Sequence, residues 1–117
     1  MLFRSPDPYG TLEMFGVRMF DCRPLIASAD FCKIDCEGGE ARILLTVQAD
    51  CRCEFMVEVG SEQNAREIYG HFMADLLGSG YRLFAQQRDW QLVNTFADMP
   101  THHSHGALFI GRSKPFP

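Results

Sequence analysis

Five cysteines, a histidine-rich run and two pairs of closely spaced carboxylates are the residues of this 117-residue chain that could do chemistry. Cys22, Cys32, Cys36, Cys51 and Cys53 come first. On a strand, Cys32 and Cys36 would stand about 13 Å apart, too far to share one ion, and Cys51 and Cys53 about 7 Å apart. Two cysteines separated by two residues, the common zinc spacing, do not occur. Cysteine packs as a small hydrophobe, so the balance favours thiols in a core over a metal site or a reactive thiolate.

His102, His103 and His105 place three imidazoles within four residues, with Asp98 close before them. Neutral imidazole nitrogens bind zinc, copper and nickel, so these four residues are the candidate metal ligands. The competing reading is a solvated loop between Pro100 and Gly106. Ser104 lies inside the run, but nothing around it resembles the strained turn that presents a hydrolase serine.

Asp35 and Glu37 flank Cys36, and Glu54 and Glu58 share one side of an alternating segment. A hydrolase would need two such carboxylates at a fixed separation in a pocket. Their pattern reads instead as the outer face of a sheet. No phosphate loop or dinucleotide fingerprint occurs, and the sequence implies no cofactor.

The elements that must position these residues follow from periodicity. Residues 1–10 carry Pro and Gly and read as loose or extended. Residues 11–22 and 25–36 read as strands with a turn at Arg23-Pro24. Glu37-Gly38-Gly39-Glu40 is a tight turn, and residues 41–48, rich in Ile, Leu and Val, read as the returning strand. In 51–59, Cys51, Cys53, Phe55, Val57 and Val59 alternate with polar residues, the period of a half-buried strand.

Ser61 is placed to cap a helix in which Ala65, Ile68, Tyr69, Phe72, Met73, Leu76 and Leu77 form an apolar stripe that ends at Gly78. Strands follow at 81–87, 90–97 and 106–113, with a loop over 98–105. The order is four strands, one helix and three strands. It predicts one α+β domain over residues 1–117, with a mainly antiparallel sheet packed on a single amphipathic helix.

Gly70 and Ala74 fall on the flank of that helix. A glycine inside a helix costs about 1 kcal/mol relative to alanine, which close approach of another backbone would offset. Arg66, Glu67, Gly70, His71, Ala74 and Asp75 are therefore the candidate partner-binding residues. Trp90 with Phe84, Phe96, Arg82 and Arg88 could form a stacking platform for single-stranded nucleic acid, but packing under the helix explains them more cheaply.

Composition narrows the function classes. The net charge of −4 and the scattered basic residues argue against nucleic acid, which needs clustered Lys and Arg. An odd number of cysteines argues against a disulfide framework, and the short apolar start is no signal peptide. A cytoplasmic protein with free thiols, not bound to a membrane, is the expectation.

The constellations favour a non-catalytic protein-binding module over an enzyme: a small acidic inhibitor, anti-defence or immunity-type protein that occludes a partner protein with a basic surface. In size and charge the chain is similar to small prokaryotic and phage-encoded inhibitors, a likeness of composition that assigns no residue. The alternatives are a metal-binding protein or small metal-dependent hydrolase using the 98–105 loop, and a self-associating assembly subunit, such as a homodimer.

Overall fold

Two neighbouring strands that run the same way set the architecture. β3 (Phe31–Ile34) and β4 (Glu54–Glu58) pair in parallel, with Phe31 opposite Glu54 and Ile34 opposite Val57. A parallel pair cannot be closed by a tight turn, so the chain must cross over between them. It does so through α2 (Glu40–Leu44). This computed structural model describes residues 20–116 and the strand backbone at 2–6 and 12–16.

The other strands add antiparallel. β7 (Ala107–Gly111) pairs with β4 on one side and with β5 (Arg82–Ala85) on the other, and β6 (Gln91–Leu92) lies outside β5. The sheet order is β3-β4-β7-β5-β6. Three of its four pairings are antiparallel, so the fold is α+β with a mainly antiparallel sheet. A separate hairpin joins β1 (Leu2–Pro6) to β2 (Leu12–Gly16). The loose or extended start expected over 1–10 and the strand expected over 11–22 are described at these strands and from residue 20 on. Residues 1, 7–11 and 17–19 of those segments lie outside the described residues.

Two segments that read as strands are helical. Residues 25–36 begin with α1 (Arg23–Ser28), because Pro24 falls in the first helical turn, where its missing N–H costs nothing. Only the end of that segment is strand, β3. The expected strand over 41–48 contains α2: Glu40 sits in the first turn, and Ala41 and Leu44, three apart, turn inward. Its link to β4 is thus a crossover rather than a hairpin. The 90–97 segment keeps two strand residues because Asp89 and Trp90 take left-handed backbone angles and Thr95 and Asp98 then cap a 3-10 turn.

The long helix is where the sequence places it. α3 (Glu62–Gly70) is capped by Ser61, whose hydroxyl accepts from the Asn64 N–H at 3.1 Å. Ala65, Ile68 and Phe72 join Phe55, Val57, Leu83, Leu108 and Ile110 in one buried cluster, so the helix covers one face of the sheet. The opposite face carries Phe84 and Phe109, whose rings are 6.2 Å apart.

After Gly70 the helix widens into a π turn at His71–Asp75, where the Leu76 N–H reaches back to the His71 carbonyl at 2.8 Å. The extra residue turns the stripe, so Leu76 is buried while Leu77 is 78% exposed.

Tyr81 locks the other end of the sheet. It is buried, its hydroxyl lies 2.6 Å from the Cys53 carbonyl and 3.1 Å from that of Cys51, and its ring meets Phe72 edge-on. Burial, with the Cys51 thiol beside it, raises its pKa and keeps the phenol a donor. Among the described residues no helix is long and apolar enough to cross a membrane.

The π turn separates two adjacent leucines that a regular helix would treat alike. Leu76→Ala should cost roughly 2–5 kcal/mol in urea unfolding, and Leu77→Ala should stay within about 0.5 kcal/mol of wild type. Equal losses at the two positions would contradict the turn.

Candidate functional site

The parallel pair ends at one edge of the sheet, and the segments leaving its two strands meet there. After β3 the chain turns through Glu37 and Gly38, both at positive φ (39° and 108°), before starting α2. After β4 it passes Gly60 and starts α3 at Ser61. Asn64 ties the two helix starts together. Its side-chain oxygen accepts from the Ala41 N–H at 2.9 Å, and its amide nitrogen donates to the Gly38 carbonyl at 3.3 Å and to the Ser61 hydroxyl at 3.0 Å. The left-handed angle at Gly38 is what a glycine takes without strain.

Between these helix starts lies a cavity of about 510 Å³, lined by Asp35, Glu37, Glu40, Glu58, Ser61 and His103. His103 arrives from the far side because Gly106 turns the chain there at φ 89°. A Cβ at that position would sit 2.9 Å from Gln86 Oε1, the oxygen that accepts from the Ala107 N–H at 2.8 Å. Among the described residues, no lysine or arginine lines the cavity.

Glu40 is its least expected member. The residue is 1% exposed. Its Oε2 accepts from the Gly38 N–H at 2.9 Å, while Oε1 accepts from no described residue. No fully buried side-chain oxygen or nitrogen among the described residues lacks a partner, so Oε1 opens to the cavity. A carboxylate withdrawn this far from water is costly unless a donor or cation meets it. Burial and the Glu40 and Asp35 carboxylates also push the neighbouring Cys36 thiol up.

The sequence singles out Asp35, Glu37 and Glu58 as closely spaced acids but reads them as solvated surface, and it passes over Glu40. Glu54 lies elsewhere: its carboxylate accepts from the Arg112 N–H at 3.1 Å. The one local sign of Glu40's role is its place directly after the Gly38-Gly39 turn.

The expected metal ligands separate into two groups. The His102 ring lies 4.0 Å from that of His103 and 6.0 Å from that of His105. The Nδ1 atoms of His102 and His105 accept backbone N–H bonds, from Ser104 and Thr101 respectively, at 3.1 Å each. Those bonds place the neutral proton on Nε2 and leave no free lone pair for a metal on either ring. Asp98 turns away, accepting from the Asn94 and Thr95 N–H groups at 2.9 and 3.1 Å and pairing with Arg88 at 2.8 Å. Among the described residues no three His, Cys, Asp or Glu side chains converge to hold a metal ion.

Ser104 Oγ is 2.7 Å from His102 Nδ1, a capping contact in an exposed 3-10 turn. Among the described residues no carboxylate bonds that ring. The Cys53 thiol, buried and beside Cys32, is pushed up to about 12, which suits packing and not nucleophilic attack.

The helix-flank residues also divide. Arg66 lies over the Phe96 ring at 4.3 Å and pairs with Glu62 at 2.7 Å. His71 turns inward, its Nε2 2.7 Å from the Val47 carbonyl, and Asp75 meets its Nδ1 at 3.5 Å. Glu67 and Ala74 are exposed. A Cβ on Gly70 would meet open space, so among the described residues no backbone packs closely against it.

A second concavity of about 500 Å³ lies between α1 and the 46–52 segment, with Ile26 and Val47 beside Arg23, Arg52, Asp30 and Asp50. Its charges are of both signs, and it defines no single ligand chemistry. No family model, curated protein or solved structure matches the chain.

The bonds at Asp98 generate a pH dependence. Backbone N–H groups, and then Arg88, hold its carboxyl below the usual carboxylate range. Its stabilising effect is therefore complete above the ordinary range and is lost as pH falls through the lowered value. Asp98→Asn should lower the thermal midpoint at neutral pH, and the gap to wild type should close in acid. A gap that persists unchanged into acid would mean that the charge contributes nothing.

Proposed function

We propose that the chain is a non-catalytic protein-binding module that captures a basic side chain of a partner protein in the acidic cavity and so occludes the partner's surface. The observation that carries this reading is Glu40: a carboxylate almost wholly withdrawn from water, with one oxygen open to a cavity whose other acidic lining residues are Asp35, Glu37 and Glu58. A guanidinium or ammonium group supplies the donors and the charge that this site lacks.

The width of the cavity favours a side chain over a bare ion. Its acids line a space of about 510 Å³, and among the described residues no three donors meet at one point. The acidic surround would also steer a basic partner toward it, at a rate that falls with salt.

Recovery of the partner from native lysate on untagged protein coupled to resin tests the reading. One dominant protein should be retained at low ionic strength and released as salt rises. The double variant Asp35→Asn/Glu58→Gln, with an unchanged circular dichroism spectrum, should weaken retention about tenfold or more, a loss of roughly 1.4 kcal/mol. Undiminished recovery by that variant would remove the cavity from the interface. An equimolar transition metal in the untagged protein would instead shift attention to the histidine turn.

A further inference from the structure

We infer that the partner enters as an extended segment that adds to the sheet beside β3 and delivers an arginine or lysine into the acidic cavity. This inference rests on the capture of a basic side chain proposed above and specifies how the partner is held.

β3 is the edge of the five-stranded sheet. The Glu54 N–H donates to the Asp30 carbonyl at 3.0 Å, and Phe31 is aligned with Glu54. In a parallel ladder this phase turns the backbone groups of Asp30, Cys32 and Ile34 toward β4, and those of Phe31 and Lys33 outward. Among the described residues no strand meets that outer side. Phe31 is 53% exposed and Lys33 is exposed. An edge of this kind is a template for strand addition, with main-chain bonds supplying affinity and alternate side chains supplying specificity.

Two features identify the occupant. β3 ends at Ile34, and the next residue, Asp35, lines the acidic cavity. A strand laid along the edge therefore runs directly to the acids, where charge complementarity calls for a basic side chain. At the start of the edge, Phe31 borders a groove of about 320 Å³ shared with Met56, Phe109 and Phe116, which would take an apolar side chain of the same segment. A second copy of this chain fits less well. Antiparallel pairing of two β3 edges centred on Lys33 would bring the two Lys33 side chains together, where like charges repel, and pairing centred on Cys32 would set Ala29, not a basic residue, opposite Asp35.

The test uses the full-length protein and a short synthetic peptide, an alternating threonine–valine run with an arginine at each end, followed by fluorescence anisotropy. One control peptide is N-methylated at every amide of the run, and another carries citrulline in place of arginine. Lys33→Pro removes the outward N–H of β3 while leaving the β3–β4 ladder, since proline is tolerated where an edge N–H faces solvent.

The parent peptide should bind saturably, and both N-methylation and Lys33→Pro should weaken binding tenfold or more. Electrostatics alone predicts the opposite for Lys33→Pro, because the substitution removes a positive charge near the acids. If the N-methylated peptide binds as tightly as the parent while the citrulline peptide does not, strand addition is wrong and the acidic cavity stands. If the citrulline peptide binds equally well, the cavity reading fails as well. No saturable binding of the parent peptide overturns the inference, and the cavity is then judged by partner recovery with the Asp35→Asn/Glu58→Gln protein. Circular dichroism establishes that Lys33→Pro folds; if it does not, the N-methylated peptide on wild-type protein decides.

Discussion

The parallel pairing of β3 with β4 is the constraint on which the rest of the structure depends. Because the two strands point the same way, the segments leaving them are brought side by side, and each leads into a helix at the same edge of the sheet. Open sheets place their ligands at such strand ends, where successive connections leave a crevice. Here the crevice gathers Asp35 from the connection after β3 and Glu58 from the last position of β4, residues more than twenty positions apart in the chain. Asn64 closes the arrangement by bonding both helix starts, so the acids are held by main-chain geometry.

The helix starts make this concentration of negative charge tolerable. Glu40 and Glu62 occupy first turns, where unpaired N–H groups and the helix dipole favour an anion. The Gly38 N–H satisfies one oxygen of Glu40 but not the other. The remaining cost of withdrawing that carboxylate from water is met by the crossover packing, in which Ala41 and Leu44 seat α2 in the main core.

What was legible in the sequence was the local part. The Ser61 cap, the alternation through Phe55 and Val57 and the glycine turn after Cys36 each rest on a few adjacent residues, and each is present. α2 was not legible because Ala41 to Val47 is apolar with few interruptions, and such a run carries neither the period of a strand nor that of a helix. The parallel register was hidden for a different reason: pairing between strands is a non-local choice that no window of sequence records. The cavity inherits that obscurity, since Asp35 and Glu58 look like separate surface acids until the register joins them. At Asp98 the local signal was misleading, because proximity to the histidines in sequence counted for less than the N–H groups of Asn94 and Thr95.

The π turn in the long helix has a consequence for how the chain could change in length. It holds one residue more than an α-helical turn, and it is followed by two leucines of which only the first is buried. Loss of one exposed residue of the turn, Ala74 or Asp75, would restore the ordinary winding and carry Leu77 into the place of Leu76. The core would receive an identical side chain, and the exposed leucine would be the one to disappear. A one-codon deletion, usually ruinous inside a helix, is here absorbed by a spare copy of the residue it displaces.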